Sequence, residues 1–125
     1  MNFLDKLFIV QSIEETAEGF VARVVCNPQH PVYQAHFPGY PITPGACMLK
    51  TAGGILEQKL CKPLFLRQSK TIKYLSVLIP AEGKEIEYRF SSLVGSESEC
   101  KTQLVIADAA LVYAKMSLIY SYEPL

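Results

Sequence analysis

Apolar and polar residues alternate with a period of two toward both ends of the chain, and the alternation gives way to an almost continuous apolar run in the middle. Phe20 to Cys26 (FVARVVC) places Phe20, Ala22, Val24 and Cys26 on one face, the signature of a half-buried strand. Phe3 to Ile13 is apolar-rich with β-branched residues, and Glu18-Gly19 supplies a turn between the two. A hairpin is predicted there, with room for a short helical turn ahead of it. Asn27-Pro28 then starts a connection, NPQHPVYQA. Further on, Leu66 to Leu78 reads as strand and Pro80 to Lys84 as loop. Glu85 to Leu93 alternates with Ile86, Tyr88 and Phe90 on one face, and Gly95 to Ser98 turns the chain. Cys100 to Ala107 and Leu111 to Tyr122 predict a last hairpin around Asp108-Ala109, with Val112, Ala114, Met116, Leu118 and Tyr120 alternating with Tyr113, Lys115 and Ser117.

The central run, GACMLKTAGGILEQKL from Gly45 to about Leu60, starts apolar on every side and becomes amphipathic toward Glu57, Gln58 and Lys59. It predicts a helix whose N-terminal half is enclosed, ended by Cys61-Lys62-Pro63. Gly53-Gly54 would cost an isolated helix roughly 1 kcal/mol per glycine relative to alanine, so the pair reads as a place of close backbone packing. One long helix with hairpins before and after it implies an α+β chain, a curved antiparallel sheet wrapped around one long central helix. Such a sheet covers the helix on one side only, and a second copy of the molecule is the natural cover for the rest.

With 125 residues, half of them hydrophobic, a single domain spanning 1–125 is expected. Lys plus Arg and Asp plus Glu number 12 each, which gives no electrostatic reason for a nucleic-acid partner or an anionic membrane surface. The opening MNFLDKLFIV has no long apolar signal region, and no apolar run approaches the roughly 18 to 20 residues that span a bilayer, so a cytoplasmic protein is expected. Cys26, Cys47, Cys61 and Cys100 are far apart, with no metal-ligand spacing, and there is no phosphate-binding or dinucleotide fingerprint. Free thiols, no metal and no cofactor follow as expectations. Cys47, in the first turn of the helix, reads as a small buried hydrophobe in preference to a stabilised thiolate.

Candidate chemistry concentrates between His36 and Lys50, HFPGYPITPGACMLK. Pro38, Pro41 and Pro44 fix φ and remove donors, so the loop is stiff enough to aim a side chain. His36 exchanges a proton near neutral pH, and the helix opening at Pro44-Gly45 offers free N–H groups with partial positive charge. His30, between Gln29 and Pro31, reads as a solvated or locally bonded loop histidine.

The run HFPGYPITPGA, with a hairpin before it and the apolar helix after it, resembles the hotdog-fold β-hydroxyacyl-acyl-carrier-protein dehydratases of fatty acid synthesis. Their loop has the form H-F-P-x-x-P-x-x-P-G, matched here by His36, Phe37, Pro38, Pro41, Pro44 and Gly45. The resemblance implies a hotdog homodimer or higher homo-oligomer with active sites at the subunit interface. It implies that His36 removes the proton next to the thioester carbonyl and that the Gly45 N–H binds the carbonyl oxygen, converting 3-hydroxyacyl to trans-2-enoyl thioesters on acyl carrier protein. Phe37, Pro44, Ala46, Met48 and Leu49 are then candidates for the acyl wall, and Phe37 and Met48 equally for plain core.

One position departs from the pattern. Five residues after the glycine the family carries a catalytic Glu or Asp that faces the neighbouring subunit's histidine; here it is Lys50. Four readings stand. A protonated Lys50 donates to the leaving hydroxyl; or a paralogous hotdog partner supplies the carboxylate in a heterodimer; or the protein binds acyl or carrier-protein ligands without turnover; or Lys50 snorkels outward and only packs. Glu57 lies on a similar face but too far along to replace the carboxylate. A hotdog acyl thioesterase is a further alternative. An acidic carrier protein needs a basic mouth, for which Lys62, Arg67, Lys70 and Lys73 are the candidates.

Overall fold

The computed structural model describes residues 6–36, 39 and 41–124, and of residue 36 the backbone alone. The elements run β1 (Phe8–Glu15), β2 (Phe20–Cys26), α1 (Pro31–His36), α2 (Gly45–Leu60), β3 (Phe65–Tyr74), β4 (Glu85–Gly95), β5 (Glu99–Ala107) and β6 (Val112–Ser121). The strands form one six-stranded sheet in the order β1-β2-β4-β5-β6-β3, and every pairing is antiparallel. Period-two positions supply its inner face. Phe20, Ala22, Val24 and Cys26 of β2, Ile86, Tyr88 and Phe90 of β4, and Ala114, Met116, Leu118 and Tyr120 of β6 are buried. They meet Cys47, Met48, Ala52, Ile55 and Leu56 of α2 in one core. The Tyr88 hydroxyl, fully inside, donates to the Met48 carbonyl at 3.1 Å, tying sheet to helix.

Several expectations are corrected. The connection after Asn27 contains a short helix, α1, because Pro31 is preorganised for the first helical position and Val32 and Tyr33 have a core to enter. Of the two readings of His30 the locally bonded one holds and the solvated one does not: it is buried, and its Nδ1 accepts the Val32 N–H at 3.0 Å, capping that helix locally. The first strand begins at Phe8 and runs on to Glu15. Helix α2 has the expected bounds, and Cys61 ends it in the left-handed region at φ 55°. Its N-terminal half, however, is buried on one face only, with Ala46 and Lys50 exposed. Nor is Gly53-Gly54 a point of close backbone packing. A Cβ on Gly53 would meet only the Tyr120 ring at ordinary contact distance, and one on Gly54 would meet nothing within 4 Å.

The β5–β6 turn carries its own electrostatic lock. Asp108 Oδ1 accepts the Ala110 and Leu111 N–H groups at 2.8 and 2.9 Å, and the Tyr113 hydroxyl donates to Oδ2. These bonds, the one from Tyr113 above all, hold the carboxyl below its ordinary 3.8. A depressed folded pKa contributes stability that is present above the unfolded value and lost as pH falls through the folded one. Asp108→Asn is therefore expected to flatten the loss of thermal stability on acidification below pH 3.8, read from unfolding temperature against pH. An acid limb as steep as that of the wild type would contradict it.

Candidate active site

The site is built where the proline loop enters α2. The loop is anchored at Thr43, whose N–H donates to the Leu78 carbonyl at 2.9 Å and whose hydroxyl pairs with the Tyr33 hydroxyl at 2.9 Å. Pro44 caps the helix through its backbone, with φ −62° and ψ 142° and no side-chain cap. Its carbonyl accepts the Cys47 and Met48 N–H groups at 3.0 and 3.2 Å. Among the described residues nothing accepts from the N–H groups of Gly45 and Ala46, so these point donors at whatever lies before the helix. A helix start of this kind can hold an anion or a carbonyl oxygen gaining negative charge. His36 closes α1 eight residues upstream of Pro44; its side chain, together with Phe37 and Pro38, lies outside the described residues.

Tyr74, which the sequence pattern did not single out, lies directly over this helix start. A Cβ on Gly45 would sit 2.4 Å from its ring and 2.7 Å from its hydroxyl oxygen, so glycine is what lets the ring approach. Ile42, Gly45, Met48, Tyr74 and Leu78 line a cavity of about 300 Å³ here. Met48 is otherwise a core residue. Cys47 is buried and burial pushes its thiol up, the opposite of an activated thiolate.

A second, larger cavity of about 590 Å³ opens along the uncovered face of α2. Ala46, Leu49, Lys50, Gly53, Gly54 and Glu57 form its helix side, and Leu64, Phe65, Leu66 and Tyr120 the sheet side. Glu57 accepts the Leu64 N–H at 2.8 Å and so fastens the helix end to β3. Lys50 is exposed at the rim, with no hydrogen bond or ion pair among the described residues. The structure thus places Ala46, Leu49 and Lys50 on one cavity and Gly45 and Met48 on the other, with Pro44 capping the helix between the loop and both. Of the proposed basic mouth, Lys62 stacks on Tyr122 at 4.3 Å and Arg67 approaches Glu99 at 3.9 Å. Lys70 and Lys73 are exposed on β3 without a partner among the described residues, and Lys73 registers with Lys115 of β6.

The family profile described as ApeI-like, ApeI dehydratase, matches residues 12–110. The chain belongs to the ApeI-like dehydratase family. A search of curated proteins gives no match. Among solved structures, the dehydratase heterocomplex ApeI:P from Xenorhabdus doucetiae is similar with a TM-score of 0.71 at 13% identity, over 91% of this chain and 97% of that one. Thioesterase superfamily member 2 from Mus musculus is similar at 0.65 and 14%, over 94% and 84%. A hypothetical thioesterase with coenzyme A from Streptococcus pneumoniae gives 0.64 and 12%, over 94% and 87%. Likeness at these identities shows the shared hotdog fold. Membership in the ApeI-like family makes this a dehydratase-like hotdog protein, and it is the family profile, not the fold, that favours dehydratase over thioesterase. No helix among the described residues is long and apolar enough to cross a membrane.

Proposed function

We propose that the chain forms part of a dehydratase that removes water from 3-hydroxyacyl thioesters of acyl carrier protein to give trans-2-enoyl thioesters. The observation that carries the reading is the helix start at Gly45, its N–H groups without acceptors among the described residues, at the end of the HFPGYPITPG loop in an ApeI-like dehydratase. His36 takes the proton from the carbon beside the thioester carbonyl. The Gly45 N–H holds the carbonyl oxygen as charge develops on it, an interaction worth about 2.7 to 4 kcal/mol where it has been removed from other enzymes. The cavity along Ala46, Leu49 and Gly53 receives the acyl chain. Lys70, Lys73 and Lys115 offer positive charge to the acidic carrier protein near the β3 edge.

A second reading is favoured by Lys50, which puts an ammonium where the acid of such a site is needed. In it the chain is one half of a hotdog heterodimer, and the partner's carboxylate faces His36. Strand β3 is one of the two edges of the described sheet, with Phe65, Leu66 and Tyr74 exposed, a row of backbone groups and apolar side chains that a second subunit would cover. The test is a panel of 3-hydroxyacyl, trans-2-enoyl and saturated acyl thioesters offered to the purified chain, alone and with a hotdog partner that carries the carboxylate. Reversible interconversion of the first two supports the dehydratase; hydrolysis of the saturated thioester would replace it with a thioesterase.

A further inference from the structure

Tyr120 is the one buried side chain among the described residues whose polar atom has no hydrogen-bond partner. Only 3% of the residue is exposed, and it lines the larger cavity from the sheet side, in register with Leu66 on β3 and Cys100 on β5. A buried hydroxyl left unpaired is costly, and native proteins keep few of them. The hydroxyl is closed to water in this structure, and the helix wall next to it is built of glycine. Gly53 stands over the ring edge and hydroxyl, where an added Cβ would lie 3.6 Å from both, and Gly54 beside it leaves open space. The walls on either side, Leu49, Leu64 and Leu66, are apolar. Burial, with Glu57 and Cys100 nearby, pushes the phenol well above its ordinary value, so it remains an O–H donor. The glycine pair, which made no close backbone contact, has a reason in this place: it thins the helix wall above a donor that awaits an acceptor.

We infer that the Tyr120 hydroxyl donates a hydrogen bond to an oxygen on the distal part of the bound acyl group, so that the protein selects chains oxygenated far from the thioester over plain alkyl chains. The inference rests on the reading that this cavity holds the acyl chain. The eight steps from Gly45 to Gly53 rise about 12 Å along the helix. An extended chain advances roughly 1.2 Å per bond, which places the recognised oxygen about ten bonds from the thioester carbonyl.

The test is binding of saturated thioesters, which undergo no dehydration, to the full chain in its native assembly by calorimetry. Decanoyl-coenzyme A and ω-hydroxydecanoyl-coenzyme A are the probes. The wild type is expected to prefer the hydroxylated chain by about 10-fold or more, because a site that loses its acceptor leaves a buried donor unpaired. Tyr120→Phe is expected to bring the ratio near one while the protein unfolds at the same or a higher temperature, since an orphaned hydroxyl stabilises nothing in the free state. Equal affinity of the wild type for both chains overturns this inference alone. Binding of neither overturns the acyl reading of the cavity and this inference with it. A Tyr120→Phe protein that keeps the preference, or whose subunits dissociate more readily with no change in it, assigns the hydroxyl to packing or to a partner subunit and overturns the inference.

Discussion

Replacing His36 by alanine is expected to lower hydration of a trans-2-enoyl thioester by about 10²- to 10⁴-fold, the usual worth of a general base. The loss should be one of chemistry, not of folding. His36 is the last residue of α1, and that helix is held by residues other than it: the His30 ring accepts from the Val32 N–H, Val32 and Tyr33 are buried, and the Tyr33 hydroxyl pairs with Thr43. The Gly45 helix start is formed by Pro44 and its backbone bonds, which a change at position 36 leaves in place. Steady-state rates, with binding of a saturated thioester as the control for an intact site, make the measurement. A variant that binds and still turns over at the wild-type rate would sink every dehydratase version of the function.

Lys50→Glu is expected to act in the opposite direction in the homo-oligomer, raising a low rate by on the order of 10²-fold or more, because on the proposed reading it puts an acid opposite the base. The substitution should be tolerated structurally. Lys50 is exposed on α2, makes no ion pair or hydrogen bond among the described residues, and glutamate is about as good a helix former as lysine. Combining it with His36→Ala should abolish the gain, since the two groups act as one unit. If the unmodified homo-oligomer is already fast and Lys50→Glu slows it, the ammonium itself is the acid and the need for a partner carboxylate disappears. Assaying both forms with and without a carboxylate-bearing hotdog subunit separates the cases.

What the sequence by itself determined was the burial side of strands β2 and β4 and of most of β6. Phe20 to Cys26, Glu85 to Phe90 and Ala114 to Tyr120 alternate because one sheet face meets the core, and that period survives in the residue order. Gly45 to Leu60 was legible as a helix because its caps are local: Pro44 before it and a left-handed Cys61 after it. The His36 to Gly45 motif is local too, which is why the candidate base and the carbonyl anchor could be named, although the His36 side chain itself lies outside the described residues. Helix α1 was missed since six residues are too few to show a period. Strand β3 showed none because, at the sheet edge, nearly every residue on both of its faces is exposed. Tertiary structure alone decided that the start of α2 is overlaid by Tyr74, that one face of the helix stays open from Ala46 to Glu57, and that Tyr120 ends beneath Gly53 without a partner. Periodicity records which side of an element leaves water. It does not record which distant element arrives on that side, and strand order, a property of the whole sheet, settles that.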